Sequence, residues 1–217
     1  MKAGRPKSSE IMREELGILL SYPVVTRWNS TYDSVQKIIS REEKLSVICT
    51  KLELPAFTEE DMLYLKDYAS AMKPFADALD FLQGEKGVFY GTLIPTLVTI
   101  KTKIDRIINN GKENYLKQQL IFLQSRLFDR FEKYFTLSSE INDAIVAAVL
   151  HPEVKLQWFA PIRDLTRKSV DEVKKLVIDY VADNHVVDCD AAEDLILSRI
   201  GSFYDFGDEQ NSFGSKK

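Results

Sequence analysis

KENYLKQQLIFLQSRLFDRFEKYF, residues 112–135, decides the fold class. Within it Leu116, Leu120, Leu123, Leu127, Phe131 and Tyr134 advance by four, three, four, four and three positions. Steps of that size stack all six side chains on one side of an α-helix, whereas a strand would need alternation in twos. No other stretch of the chain is as cleanly periodic, and everything around it shares its period.

Toward the C-terminus, residues 139–150 (ending INDAIVAAVL) form a shorter helix closed by His151-Pro152, another runs from Leu165 or Ser169 to Ala182, and a last one covers 190–200. Residues 201–217 are rich in Ser, Gly, Asp and Asn, and Phe203, Tyr204, Phe206 and Phe213 are spaced as in a flexible tail that docks, not as in a packed element. Toward the N-terminus, Leu93, Leu97, Ile100, Ile104, Ile107 and Ile108 define a helix ending at Asn109-Asn110-Gly111, preceded by a glycine-containing turn over 84–91. Thr58-Glu59-Glu60-Asp61 opens a long helix in capping-box style, and Met62, Leu65, Tyr68, Ala69, Met72, Phe75, Ala76, Leu79 and Leu82 keep its register, with a kink expected at Pro74. Helices over 42–52 and from a cap at Asn29 or Ser30 to about Ser40 come before it. Residues 21–27 are extended because of Pro23 and the β-branched Val24-Val25, and Ile11, Met12, Leu16, Leu19 and Leu20 give a helix over 9–20.

Residues 1–9 read as a disordered basic tail, with Gly4 and Pro6 opposing helix; the single Gly-Arg-Pro is a solvated tail before it is an AT-hook. The sum is an all-α array of eight or nine helices over residues 10–200, and no sheet of three or more strands is expected.

With 45% hydrophobic residues the chain can bury a core, and with 29 basic against 33 acidic residues its net charge is −4. Any nucleic-acid contact must therefore come from a local patch. Cys49 and Cys189 are too few for a disulfide framework, and a reducing, intracellular setting is expected. No apolar run is long enough to span a bilayer, so no membrane partner is expected.

Chemistry-bearing motifs are sparse. His151, His185, Cys49 and Cys189 are the soft-metal inventory, and only His185 and Cys189 fall four apart, so no metal site is expected. Asp188, Asp190, Glu193 and Asp194 lack the glycine and terminal Glu of a calcium loop and read as an acidic solvated face. There is no phosphate loop, dinucleotide fingerprint, nucleophile elbow or His-Glu-x-x-His pair, so neither catalytic residues nor a cofactor is expected. That leaves Arg27-Trp28 at a helix entrance. From the residues alone, the pair can bind phosphate and stack on a base, or the indole can fill a helix seam while Arg27 pairs with an acid; packing is the stronger of the two.

Thr26-Arg27-Trp28-Asn29-Ser30-Thr31-Tyr32-Asp33 resembles the signature of hAT-family DNA transposases and of host proteins derived from them, including zinc finger BED domain-containing proteins. Two further segments are similar in the same order: residues 65–75 (LKDYASAMKPF) to the family's Leu-x-Pro-Phe helix, and residues 149–159 (VLHPEVKLQWF) to its Leu-Asp-Pro-Arg-Phe-Lys-x-x-Trp segment, with His151 and Glu153 where the family has Asp and Arg.

The resemblance implies the all-helical insertion domain that interrupts a ribonuclease-H-like core, with that core largely outside this chain. The family's catalytic carboxylates, needed to hold two metal ions, would lie beyond the region of similarity, as would its BED finger and its C-terminal dimerisation segment. A nuclear, catalytically inactive, transposase-derived fragment with residual DNA binding is the implied function, and oligomeric state stays open. Arg27 and Trp28 are the implied DNA contacts, and the basic residues Lys101, Lys103 and Arg106, with Lys112 and Lys117, extend that surface if they share one exposed face with Arg27. A helical scaffold whose partners are proteins, with Trp28 in the core, is the competing expectation.

Overall fold

A computed structural model describes residues 6–17, 23–24, 29–84, 88–110, 115–184 and 203–207. These residues form eight α-helices linked by turns and short 3-10 segments, with no strand among them, as the period of the apolar residues requires. They fall into two units, residues 1–76 with 112–118 and residues 77–111 with 119–217. The helix expected over 190–200, and the candidates His185, Asp188, Cys189, Asp190, Glu193, Asp194 and Phe213, lie outside the described residues.

The first unit holds α1 (Pro6–Leu16), α2 (Ser30–Ile39), α3 (Glu42–Lys51) and most of α4 (Glu59–Leu82). α1 begins before the expected Ser9 because Pro6, instead of blocking it, takes its first position, where a missing N–H leaves nothing unpaired and a fixed φ suits the helix. It also ends short of residue 20. Gly17 adopts φ +69 and donates its N–H to the Arg13 carbonyl at 3.0 Å, a left-handed ending that costs a residue without Cβ little. Met12 of α1 packs on Ile48 and Leu52 at the end of α3, while Lys44 Nζ donates to the Glu15 carbonyl at 3.0 Å and Lys51 pairs with the Glu15 carboxylate.

α4 opens on the expected capping box: Thr58 Oγ1 accepts from the Asp61 N–H at 3.1 Å, and Asp61 Oδ2 accepts from the Thr58 N–H at 2.8 Å. The Thr58 backbone N–H, and after it the hydroxyl, hold the Asp61 carboxyl below its ordinary value. The helix continues through Pro74 to Leu82.

In the second unit, α5 (Leu93–Asn109) is buried at every position from Ile94 to Ile100. A helix apolar on all sides belongs inside its unit, with other elements packed around it. Here those are the 3-10 turn Tyr90–Thr92, α7 (Asn142–Val149) and the 3-10 segment Gln157–Ile162, with α8 (Val170–Asp183) packed on α7; Ile145, Trp158, Ile162 and Val173 of these elements share one core with Ile94, Leu97 and Val98. The short side chains of α7 allow very close approach. A Cβ on Gly91 would lie 2.4 Å from the Ala147 carbonyl oxygen.

α6 (Lys117–Phe135) is the helix of the quoted stretch, shortened at its start to a turn at residues 115–116. Its stripe is less buried than its regularity suggests: Leu116 and Leu120 are buried, whereas Leu123, Leu127, Phe131 and Tyr134 are half-exposed. A bend at Phe131 (φ −117, ψ 23) leads instead to Phe135 and Leu137, which are fully enclosed. Ser169 caps α8 in a second capping box, accepting from the Glu172 N–H at 3.2 Å while Glu172 Oε2 accepts from the Ser169 N–H at 2.6 Å.

Candidate nucleic-acid interface

Among the described residues of the octet, Asn29 and Ser30 are in structural duty. Contrary to expectation, neither Asn29 nor Ser30 caps α2 with its side chain. Asn29 Nδ2 donates to the Ala76 carbonyl of α4 at 3.1 Å, and Ser30 Oγ donates to the Val24 carbonyl at 2.7 Å. Both side chains instead donate to carbonyls outside α2. Arg27 and Trp28 lie outside the described residues.

The other candidate cations sit on α5, and helical geometry divides them. Thr99, Lys103 and Arg106 follow one another at four and three residues and form a single stripe, while Lys101 is turned about 200° from Lys103 at 100° per residue. Each is matched by an acid. Lys101 Nζ lies 2.6 Å from Asp105 Oδ2, Lys103 Nζ lies 3.6 Å from Asp77 Oδ2, and Arg106 pairs with Asp205. Asp105 is itself held by Gln124 Nε2 on α6. Lys112 lies outside the described residues, and Lys117 falls in the other unit. Lys101, Lys103 and Arg106 thus make two paired stripes and not one open basic face.

Residues 203–207 supply one of those acids and more. This part of the expected flexible tail is packed: Phe203 stacks on Phe81 with ring centroids 4.4 Å apart and lies under Lys103 Nζ at 5.2 Å. Phe206 is 5% exposed and belongs to the core of its unit. The aromatic spacing of this segment pointed to docking, but not to the Thr99, Lys103 and Arg106 stripe that receives it.

Against that segment lie buried polar groups, three of them within residues 149–159. His151 is 1% exposed; its Nδ1 accepts from the Glu153 N–H at 3.3 Å, and its ring lies 4.9 Å from Phe89 and 5.8 Å from Tyr204. His151 Nε2, Glu153 Oε2, Thr96 Oγ1, Trp158 Nε1 and the Tyr204 hydroxyl are buried without a protein hydrogen bond. Tyr204 faces Thr96, but the two hydroxyls do not reach hydrogen-bonding geometry, and burial pushes the phenol well above its ordinary value. Burial also pushes His151 below its ordinary value.

The unfolded chain therefore takes up the His151 proton more readily than the folded chain, so this residue's contribution is intact above about pH 6.5 and is lost as pH falls toward the depressed folded value. His151→Gln, a neutral replacement that keeps an acceptor, is expected to flatten the fall in urea midpoint between about pH 7 and 5.5. An equally steep fall in both proteins would contradict a buried neutral imidazole.

Among the described residues no three His, Cys, Asp or Glu side chains converge as metal ligands, and no helix is long and apolar enough to cross a membrane. Cys49 is a buried free thiol. Compared with protein-family models, with curated proteins and with solved structures, the chain matches none.

Proposed function

We propose that this chain is a hAT-transposase-derived nuclear helical domain that acts by binding, without phosphodiester chemistry of its own, and that it meets DNA ends through Arg27 and Trp28. The observation that carries this reading is the division of work within the octet. Asn29 and Ser30 are committed to the Ala76 and Val24 carbonyls, which supports assigning recognition to the two neighbours whose chemistry suits a DNA end. A guanidinium pairs with phosphate, and an indole stacks on an unpaired base. The two other family-like segments support a shared scaffold: Ala69, Ala71 and Pro74 in one, and Val154, Trp158 and Phe159 in the other, are buried packing residues.

Intrinsic fluorescence tests it directly, because the chain has two tryptophans and Trp158 is fully buried. Titration with a hairpin-ended duplex is expected to quench the emission saturably, and more than a blunt duplex does. Equal or absent quenching by the two DNAs would contradict the reading.

A helical scaffold for protein partners is the second reading, favoured by the acid pairing of Lys101, Lys103 and Arg106. Paired cations release few counterions from DNA, so on this reading binding would be weak and the salt slope shallow.

A further inference from the structure

The geometry points to a peptide-recognition site on the α5 stripe of Thr99, Lys103 and Arg106, selective for aromatic–aromatic–acidic–aromatic sequences on a partner protein, with residues 203–206 (Phe-Tyr-Asp-Phe) as the ligand the chain supplies to itself. These residues have no regular secondary structure and come from about a hundred positions away, yet each has its own place. Phe203 lies flat on Phe81, 5° from parallel, with Lys103 Nζ 5.2 Å from its ring centroid. Tyr204 meets Phe81 edge-on at 5.7 Å and His151 at 5.8 Å. The Asp205 carboxylate takes Arg106, and its backbone N–H donates to Thr99 Oγ1 at 3.2 Å. Phe206 stacks on Tyr204 at 5.7 Å, and Gly207, at φ +84, donates its N–H to Asp205 Oδ1 at 3.2 Å.

Aromatic anchors, one charge pair and one main-chain hydrogen bond are the elements by which a groove reads an extended peptide. The fit of the resident segment is imperfect, because the Tyr204 hydroxyl is buried without a partner. A free ligand with Phe in that place would avoid this penalty, whereas the resident segment has the advantage of its tether, which presents it at a high effective concentration. Recognition by this stripe is independent of whether Arg27 and Trp28 meet DNA.

The test uses the full chain and a labelled Gly-Ser-Phe-Tyr-Asp-Phe-Gly peptide, read by fluorescence anisotropy. A chain carrying Phe203→Ala and Asp205→Arg, which weaken the resident ligand, is expected to bind the peptide at least about tenfold more tightly than wild type, where the tethered segment competes. Replacing the peptide's Asp with Arg is expected to cost that chain about tenfold or more, and Arg106→Asp is expected to reverse the preference. Should the double variant fail to melt cooperatively, Asp205→Ala, which keeps all three aromatic anchors, is read in the same way. Equal affinity of freed and wild-type chains, or affinity indifferent to the charge exchange at Arg106, would overturn the assignment.

Discussion

Trp158→Ala is expected to lower unfolding stability by about 3–5 kcal/mol, the range for deleting a large buried aromatic, and to do so without any DNA present. Trp158 is 0% exposed and sits in the core shared by α5, α7 and α8, against Phe159 at a centroid distance of 6.2 Å. Its neighbours are fixed by their own backbone bonds, so the space it leaves has little means of collapsing. Phe122 is the internal control: it is 60% exposed on α6, and Phe122→Ala is expected to move the urea midpoint little. Similar midpoints for the two variants would show that the second unit is not organised around this core.

Gly91→Ala is the second large effect, reached by overpacking. The added Cβ would lie 2.4 Å from the Ala147 carbonyl oxygen, 2.9 Å from its carbonyl carbon and 2.9 Å from Phe89 Cε2. Two of those three atoms are backbone of a buried helix and cannot rotate aside. A loss of about 1–3 kcal/mol, or more if α7 has to shift as a body, is the expected result in thermal or urea melts. Stability within about 0.5 kcal/mol of wild type would mean that the turn and α7 are farther apart than described.

Much of the helical framework was legible from spacing and capping chemistry. α3, α4 and α5 begin and end close to where their apolar stripes place them, and at α4 Thr58 and Asp61 add a local capping signal that needs no tertiary context. Where α3 and α6 end was legible, but the left-handed residues that close them without glycine were not. α3 stops on Glu53 at φ 52, with the Leu54 N–H reaching the Cys49 carbonyl at 2.8 Å, and α6 stops on Leu137 at φ 51, with the Ser138 N–H reaching the Lys133 carbonyl at 3.0 Å. A left-handed residue with a Cβ is disfavoured by local sterics, so only tertiary packing selects it. At Leu137 that packing is visible as complete burial. The regular stripe of α6 misled for the related reason that period shows which side of a helix is apolar and not how deeply it is covered. Of the candidate site, the α5 cations were legible as residues but not as two stripes with acid partners, since Asp77 and Asp205 approach from distant parts of the chain.

The DNA-end reading rests on Trp28, and Trp28→Ala separates its two roles in one pair of measurements. Urea melts and titrations of a hairpin-ended duplex are made on wild type and variant in the same buffer. The account predicts hairpin affinity weaker by about 1–3 kcal/mol, the worth of one base–aromatic stack, with an unchanged urea midpoint. A variant destabilised by about 3–5 kcal/mol whose remaining folded fraction binds hairpin DNA as wild type does would contradict it, and would place Trp28 in the packing of the domain instead.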